Sequence, residues 1–207
     1  MTEIKLTNGR VRELRGEDLP KLIRICQDKE IKQFYFVEEI ESMESYWQRI
    51  LESQREIRNQ PRGIIRQKYE LTIEEREEVK GLLTIGIEPY TYWVSNKTGP
   101  SKHGIIFSYF IGEEFRRHGL ATEVLKLAVP FAFEKLDAGT VCGGCLKEND
   151  SSQNLLEKVG LVRKWEGIAE SGVAKGRDTI VYGLTIKEFY EQREKFGANF
   201  FQLSYRL

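Results

Sequence analysis

The run Gly104-Ile105-Ile106-Phe107-Ser108-Tyr109-Phe110-Ile111, followed closely by Arg116-Arg117-His118-Gly119-Leu120-Ala121, decides how the chain is read. The first stretch is dense in β-branched and aromatic residues and predicts a strand. Beyond the second, apolar residues recur at 120, 124, 127, 128 and 131, a helical period. A strand feeding a turn and then a helix start leaves backbone N–H groups without intrahelical partners, and such groups bind anions. Small residues at 119 and 121 let a ligand come close to the backbone.

Upstream of this stretch, residues 4–14 predict a first strand with a turn at Asn8-Gly9, and Gly16-Glu17-Asp18 caps a helix carrying Leu19, Leu22, Ile23 and Cys26. A second helix is expected from Glu41 to Arg58. Strands at Ile64–Ile73 and Gly81–Glu88 form a hairpin around the charged turn Glu74–Lys80, and Pro89–Lys102 reads as a loop. Downstream come a helix over Gly119–Leu136, a strand over Thr140–Leu146, a helix over Ser151–Val159, strands near 161–166 and 179–184, and a helix over Ile186–Phe196. Pro130 inside the long helix predicts a kink or an early stop near Val129. Strands alternating with helices argue for a mixed sheet covered by helices. The apolar tail Gly197–Leu207 is expected to pack on the domain or on a second subunit.

The 207 residues suit one domain, and 32 basic against 32 acidic side chains offer no bulk charge for nucleic acid. No apolar stretch approaches the roughly 20 residues of a membrane span, and the first residues lack a secretory pattern, so a cytoplasmic protein is expected. Three cysteines are not a disulfide framework. Cys142 and Cys145 lie three apart on a predicted strand and so point to opposite faces, and with His103 and His118 far apart in sequence no metal site is expected.

Arg116, Gly119 and Ala121 match the Gln/Arg-x-x-Gly-x-Gly/Ala signature of the GCN5-related N-acetyltransferases, which this stretch resembles. Glu114-Phe115-Arg116, Gly119-Leu120-Ala121-Thr122-Glu123 and, some thirty residues on, Glu148-Asn149-Asp150-Ser151-Ser152-Gln153-Asn154-Leu155-Leu156-Glu157-Lys158-Val159-Gly160-Leu161 are similar to the two signatures of the subgroup that acetylates ribosomal-protein N-termini. The likeness covers about residues 104–185. It departs at Arg117, often Gly in that subgroup, at Asn154, where a basic residue is frequent, and at Leu161, where Phe is common. The resemblance implies an α/β (α+β) GNAT fold over residues 1–184, a mixed, mostly antiparallel sheet with splayed central strands flanked by helices, with residues 185–207 as an extension. It implies acetyl-CoA as co-substrate; no metal is expected, and a monomer or a homodimer is equally open.

Acetyl transfer to an amine needs a bound donor, a neutral amine, a donor to the carbonyl oxygen and a proton for the thiolate. The amides of residues 117–121, with the side chains of Arg116, Arg117 and His118 and the close approach at Gly119, Leu120 and Ala121, are expected to hold the pyrophosphate. The resemblance places a backbone N–H from Tyr109, Phe110 or Ile111 at the carbonyl, which makes those side chains poor targets for mutation. The resemblance places donor-site roles on Asn149 and Ser152, with Ser152 the proton donor to sulfur, although Asp150, Ser151 and Ser152 are also good helix-capping residues. The subgroup's proposed catalytic carboxylate falls on Glu170, in a Gly-rich loop where a Glu is ordinarily solvated. An α-amine is roughly 10% neutral at pH 7 and a lysine only about one in 2,500, which leans toward a protein N-terminus. The rivals are a small-molecule amine such as an antibiotic or polyamine, which an acidic pocket would favour, and a non-catalytic acyl-CoA-binding module.

Overall fold

The computed structural model describes residues 3–35, 45, 47–48, 50–52, 68–88, 103–170 and 174–197. Its strands are β1 (Glu3–Lys5), β2 (Gly9–Glu13), β3 (Lys68–Glu75), β4 (Glu78–Glu88), β5 (Gly104–Ile111), β6 (Thr140–Leu146), β7 (Val162–Ile168) and β8 (Asp178–Thr185). Its helices are α1 (Leu19–Ile25), α2 (Lys29–Tyr35), α3 (Leu120–Lys135), α4 (Asp150–Lys158) and α5 (Ile186–Phe196), and residues 45, 47, 48 and 50–52 are also helical. The eight strands form one sheet in the order β1-β2-β3-β4-β5-β6-β8-β7, antiparallel at every joint except β5–β6.

Side chains alternate across each strand, so the sheet has two apolar faces. One face collects Leu71, Ile73, Leu83, Ile85, Ile105, Phe107 and Ile111 under α3 and α4, together with Val141 and Tyr182. The other presents Leu82 and Phe110 to α1 and to Ile31 of α2, with Trp47 beside them. On the α1 face a buried cluster of charge ties β2 to β3 and to the start of α1: Arg12 donates through Nη1 and Nη2 to Asp18 at 2.8 Å each and through Nε to Glu74 at 2.8 Å. Three charged residues at 2–8% exposure survive there because each carboxylate is met by the guanidinium, and Asp18 also accepts from Thr72 and from the Arg15 amide.

The joint that positions the site is the parallel one. β5 and β6 are in register only over Gly104–Thr140, Ile105–Val141 and Ile106–Cys142, whereas β4 pairs with β5 through to Ile111 and β6 pairs with β8 through to Leu146. Past Ile106 and Cys142 the two strands therefore diverge, leaving main-chain groups of residues 107–111 and 143–146 facing a wedge. This is the expected splay.

Several sequence expectations are corrected. The first strand is a hairpin, β1 and β2 around the Asn8-Gly9 turn, with Ile4 opposite Val11. The hairpin turn after β3 is narrower than Glu74–Lys80: Arg76 and Glu77 alone span it, at φ 51° and 61°, the left-handed pair that matches strand twist. α2 is an additional helix, with the Asp28 carboxylate accepting from the Ile31 amide. Helix α3 does not stop near Val129 but runs through Pro130 to Lys135. The one bond lost at the proline is outweighed because Val129, Phe131, Ala132 and Phe133 around it are all buried. α5 docks through buried Phe189, stacked on Phe133 with centroids 4.6 Å apart. The expected strand start at 64–67, the loop 89–102, most of the helix 41–58 and the tail 198–207 lie outside the described residues.

Candidate functional site

Three elements converge on the wedge. The first is the turn between β5 and α3. Gly112–Arg116 closes with a short 3-10 turn, Arg117 then adopts φ 63° and Gly119 φ 85°, and α3 begins at Leu120. Two left-handed residues flanking His118 tilt successive amides the same way. The N–H groups of Gly119, Leu120, Ala121 and Thr122 donate to no backbone carbonyl among the described residues, and the first bond of α3 runs from Glu123 to Gly119. A methyl group added at Gly119 would meet nothing within 4 Å, so the approach to these amides is open. Arg117, His118 and Gly119 are exposed, Ala121 is partly covered and Leu120 anchors the helix in the core. Aligned amides at the positive end of a 16-residue helix fit a diphosphate.

Arg116 plays a different part from the one its motif position suggests. Its Nε donates to the Ile111 carbonyl at 3.0 Å, while Nη2 and Nη1 reach Asp28 and Glu30 at 2.6 Å each. The side chain thus clamps α2 to the end of β5. Burial would raise the Asp28 carboxyl, but the bond from Arg116 and the Ile31 amide outweigh it and hold Asp28 below its ordinary value.

The second element is the start of α4. Asn149 caps that helix, its Oδ1 accepting from the Ser152 amide at 3.0 Å, while Ser152 lies within the first turn as the residue whose amide is capped. The Ser152 hydroxyl is also 2.8 Å from the Tyr109 hydroxyl, and Ser152 is near enough to the Cys145 thiol to lower its pKa. Tyr109 comes from β5, Cys145 from β6 and Ser152 from α4, so the trio spans the wedge on the α3/α4 face. Burial pushes the Tyr109 phenol up to about 12 and the Cys145 thiol up to about 11, each partly offset by Ser152. At neutral pH all three carry their protons and can donate.

The third element lies on the opposite face. A cleft of about 490 Å³ is lined by Lys29, Lys32, Gln33 and Arg177. Arg177, just before β8, reaches the Gln33 carbonyl of α2 at 3.2 Å and Glu148 at 2.9 Å, the residue next to Asn149. It therefore ties α2 to the turn that follows β6.

Of the residues singled out from sequence, Tyr109, Asn149 and Ser152 come together. Phe110 points to the α1/α2 core and Ile111 to the α3 core; the Phe110 carbonyl faces Gly81 of β4, so it is the alternate residues Tyr109 and Ile111 whose main chain turns toward the wedge. Glu170 is exposed just beyond β7, next to the Ala169–Arg177 backbone pair, and makes no hydrogen bond or ion pair among the described residues. The Cys142–Cys145 spacing does place the two on opposite faces, both buried and neither in a disulfide. Among the described residues no group of three or more His, Cys, Asp or Glu is placed to hold a metal ion, and no helix is long and apolar enough to cross a membrane. Sequence reasoning missed the Tyr109 hydroxyl, Cys145 and the basic cleft. Strand alternation from Phe107 and Ile111 carries the signal that Tyr109 faces α3 and α4; nothing local joins Arg177 to α2.

A family model described as an acetyltransferase (GNAT) domain matches residues 10–162. No curated protein matches the chain significantly. Among solved structures it is similar to RimJ of Mycobacterium smegmatis bound to a CoA-disulfide, at 18% identity and TM-score 0.66, covering 90% of this chain and 87% of that one. It is similar also to an acetyltransferase of Salmonella typhimurium that modifies the N-terminal serine of a ribosomal protein, at 15% identity and TM-score 0.67, covering 89% and 99%. A third is spermidine N-acetyltransferase of Vibrio cholerae with CoA and spermine, at 18% identity and TM-score 0.64, covering 87% and 96%. At these identities the likeness is one of fold.

Proposed function

The chain belongs to the GNAT acetyltransferase family, and on that premise we propose that it acetylates the α-amine of a protein or peptide N-terminus, with acetyl-CoA as donor. The observation that carries this reading is the wedge with unpaired amides at Gly119–Thr122 on one side and a cationic cleft beside α2 on the other. Acetyl-CoA supplies an acyl thioester, so that one C–N bond forms, one C–S bond breaks and one proton passes from the amine to sulfur.

The chain's own residues divide the work. The amides at the start of α3 hold the diphosphate, and the widening gap between β5 and β6 receives the pantetheine arm beside exposed strand edges. The main-chain N–H groups of Tyr109 and Ile111, on the edge of β5 turned away from β4, are the donors to the carbonyl oxygen as it gains charge. Ser152, oriented by Tyr109 and by its cap to Asn149, delivers a proton to the departing sulfur, and the Tyr109 phenol replaces it and regains its own proton from solvent, to which Glu170 releases the one taken from the amine. Glu170 takes the proton from the amine. An α-amine asks little of that base, since about 10% is neutral at pH 7.

The Lys29, Lys32 and Arg177 lining supports an acceptor other than a polycation, which would meet like charge there. Incubating the protein and acetyl-CoA with N-terminal peptides, lysine-bearing N-blocked peptides, spermidine and aminoglycosides, followed by mass spectrometry of products, tests the reading. Transfer to free peptide N-termini is expected; transfer confined to the small amines would overturn it. Glu170→Gln is expected to lower turnover about 10²-fold or more while acetyl-CoA binding, read by calorimetry, persists.

A further inference from the structure

We propose that the cleft between α2 and the start of β8 selects acceptors with carboxylates close behind the reacting amine, which makes this an acetyltransferase for acidic N-termini. The inference rests on the N-terminal reading above and adds the sequence class of the acceptor.

The two faces of the sheet fix which ligand meets the cleft. The amides suited to the donor's diphosphate belong to α3, and α3 packs on the face that carries Leu83, Ile105 and Phe107. α2 packs on the other face, with Ile31 against the cluster of Leu82 and Phe110. A donor threaded through the wedge from the α3 side leaves its acyl end directed toward α2, where an acceptor enters.

The charge there is not self-cancelling. Asp28 and Glu30 are engaged by Arg116 at 2.6 Å, so the carboxylates of α2 and its approach are turned to the β5 end. Glu148 meets Arg177 at 2.9 Å. Lys29 is exposed and makes no ion pair among the described residues, and Lys32 donates only to the neutral Gln27 amide oxygen at 3.0 Å. Two ammonium groups thus remain for a ligand. Arg177 is held by the Gln33 carbonyl and Glu148 as a fixed wall between them and the Ser152 end of the wedge. The volume, about 490 Å³, lies in the range of small-ligand sites and takes a few residues of extended peptide. Half-exposed pairs of this kind add modest affinity, and two of them are expected to give about five- to tenfold discrimination at low salt, shrinking as salt rises.

The test uses hexapeptides beginning with Ser, Ala, Met or Gly, one set with Asp and Glu at the third and fourth positions and an otherwise equal set with Asn and Gln. Initial rates with wild-type protein and with Lys29→Glu/Lys32→Glu are compared, along with the KM for acetyl-CoA. Expected are a kcat/KM about five- to tenfold higher for the acidic set and loss of that preference in the double variant. Its donor KM stays unchanged, and it gains on a third set with Lys at the same two positions. Equal rates on the acidic and amide sets overturn this inference and leave N-terminal acetylation standing, as does a variant whose defect lies in the donor KM, which would assign the cations to a donor phosphate. No transfer to any peptide, with transfer to spermidine, overturns the N-terminal reading and this inference with it.

Discussion

Replacing Tyr109 by Phe keeps the ring, which packs against the core under α3, and deletes only the hydroxyl lying 2.8 Å from Ser152. If that phenol orients and reprotonates Ser152, its loss costs about one neutral hydrogen bond in the rate-limiting arrangement, ~0.5–1.5 kcal/mol, or about two- to twelvefold in rate. Ser152→Ala removes the donor itself and is expected to cost about 10²-fold or more. The double variant is the decisive sample. Because Tyr109 acts through Ser152, it should be no slower than Ser152→Ala alone, so the interaction energy equals the whole Tyr109→Phe effect. The assay is initial-rate thiol release at saturating acetyl-CoA with the best acceptor peptide, with thermal melts confirming that each variant is folded. A pH series adds a second reading: with the phenol pushed up from 10.0 to about 12, its hydroxyl remains a donor across the working range, and wild-type activity should show no decline from this group below about pH 10. Losses that multiply in the double variant, or a Ser152→Ala protein with undiminished thiol release, would refute the relay.

Arg117→Gly relieves a left-handed backbone at φ 63° and is expected to raise stability by ~0.5–1 kcal/mol in thermal melts, with CoA affinity by calorimetry falling less than about tenfold. Gly81→Ala would set a methyl carbon 2.1 Å from the Phe110 carbonyl oxygen, forcing β4 away from β5; urea denaturation should show a loss of at least ~1–3 kcal/mol. Burial alone would raise the Asp18 carboxyl, but bonds from Arg12, the Arg15 amide and Thr72 hold it below 3.8, so its stabilisation is full above pH 3.8 and is lost as pH falls through the lower folded value. Asp18→Asn should therefore cost about 3 kcal/mol or more near neutrality and flatten the acid limb of a stability–pH curve measured in urea.

The strands β5 and β6, the turn between β5 and α3 and the order of elements after it were legible because each rests on local pattern: β-branched runs, a glycine where φ is positive, an apolar helical period. Pro130 misled because its penalty is local whereas the burial that overrides it is supplied by the sheet. The Arg76-Glu77 turn carried no glycine to announce two left-handed residues, so its width could not be read. Arg116 sits in the signature, yet its partners Asp28 and Glu30 are more than eighty positions away and only the fold reveals that it is a clamp. The same holds for Tyr109 with Ser152 and for Arg177 with Gln33: nothing local in the sequence links residues of one site that come from different elements.

Three register pairs fasten β5 to β6, against eight between β4 and β5 and seven between β6 and β8. Mechanically the molecule is two blocks, strands one to five and strands six to eight, stitched by a short seam beside which the donor would lie. A pantetheine chain laid along that seam would act as a further row of stitches. Amide exchange that proceeds independently in the two blocks of the free protein should become concerted once coenzyme A is bound, with the largest slowing along the facing edges rather than at the phosphate turn.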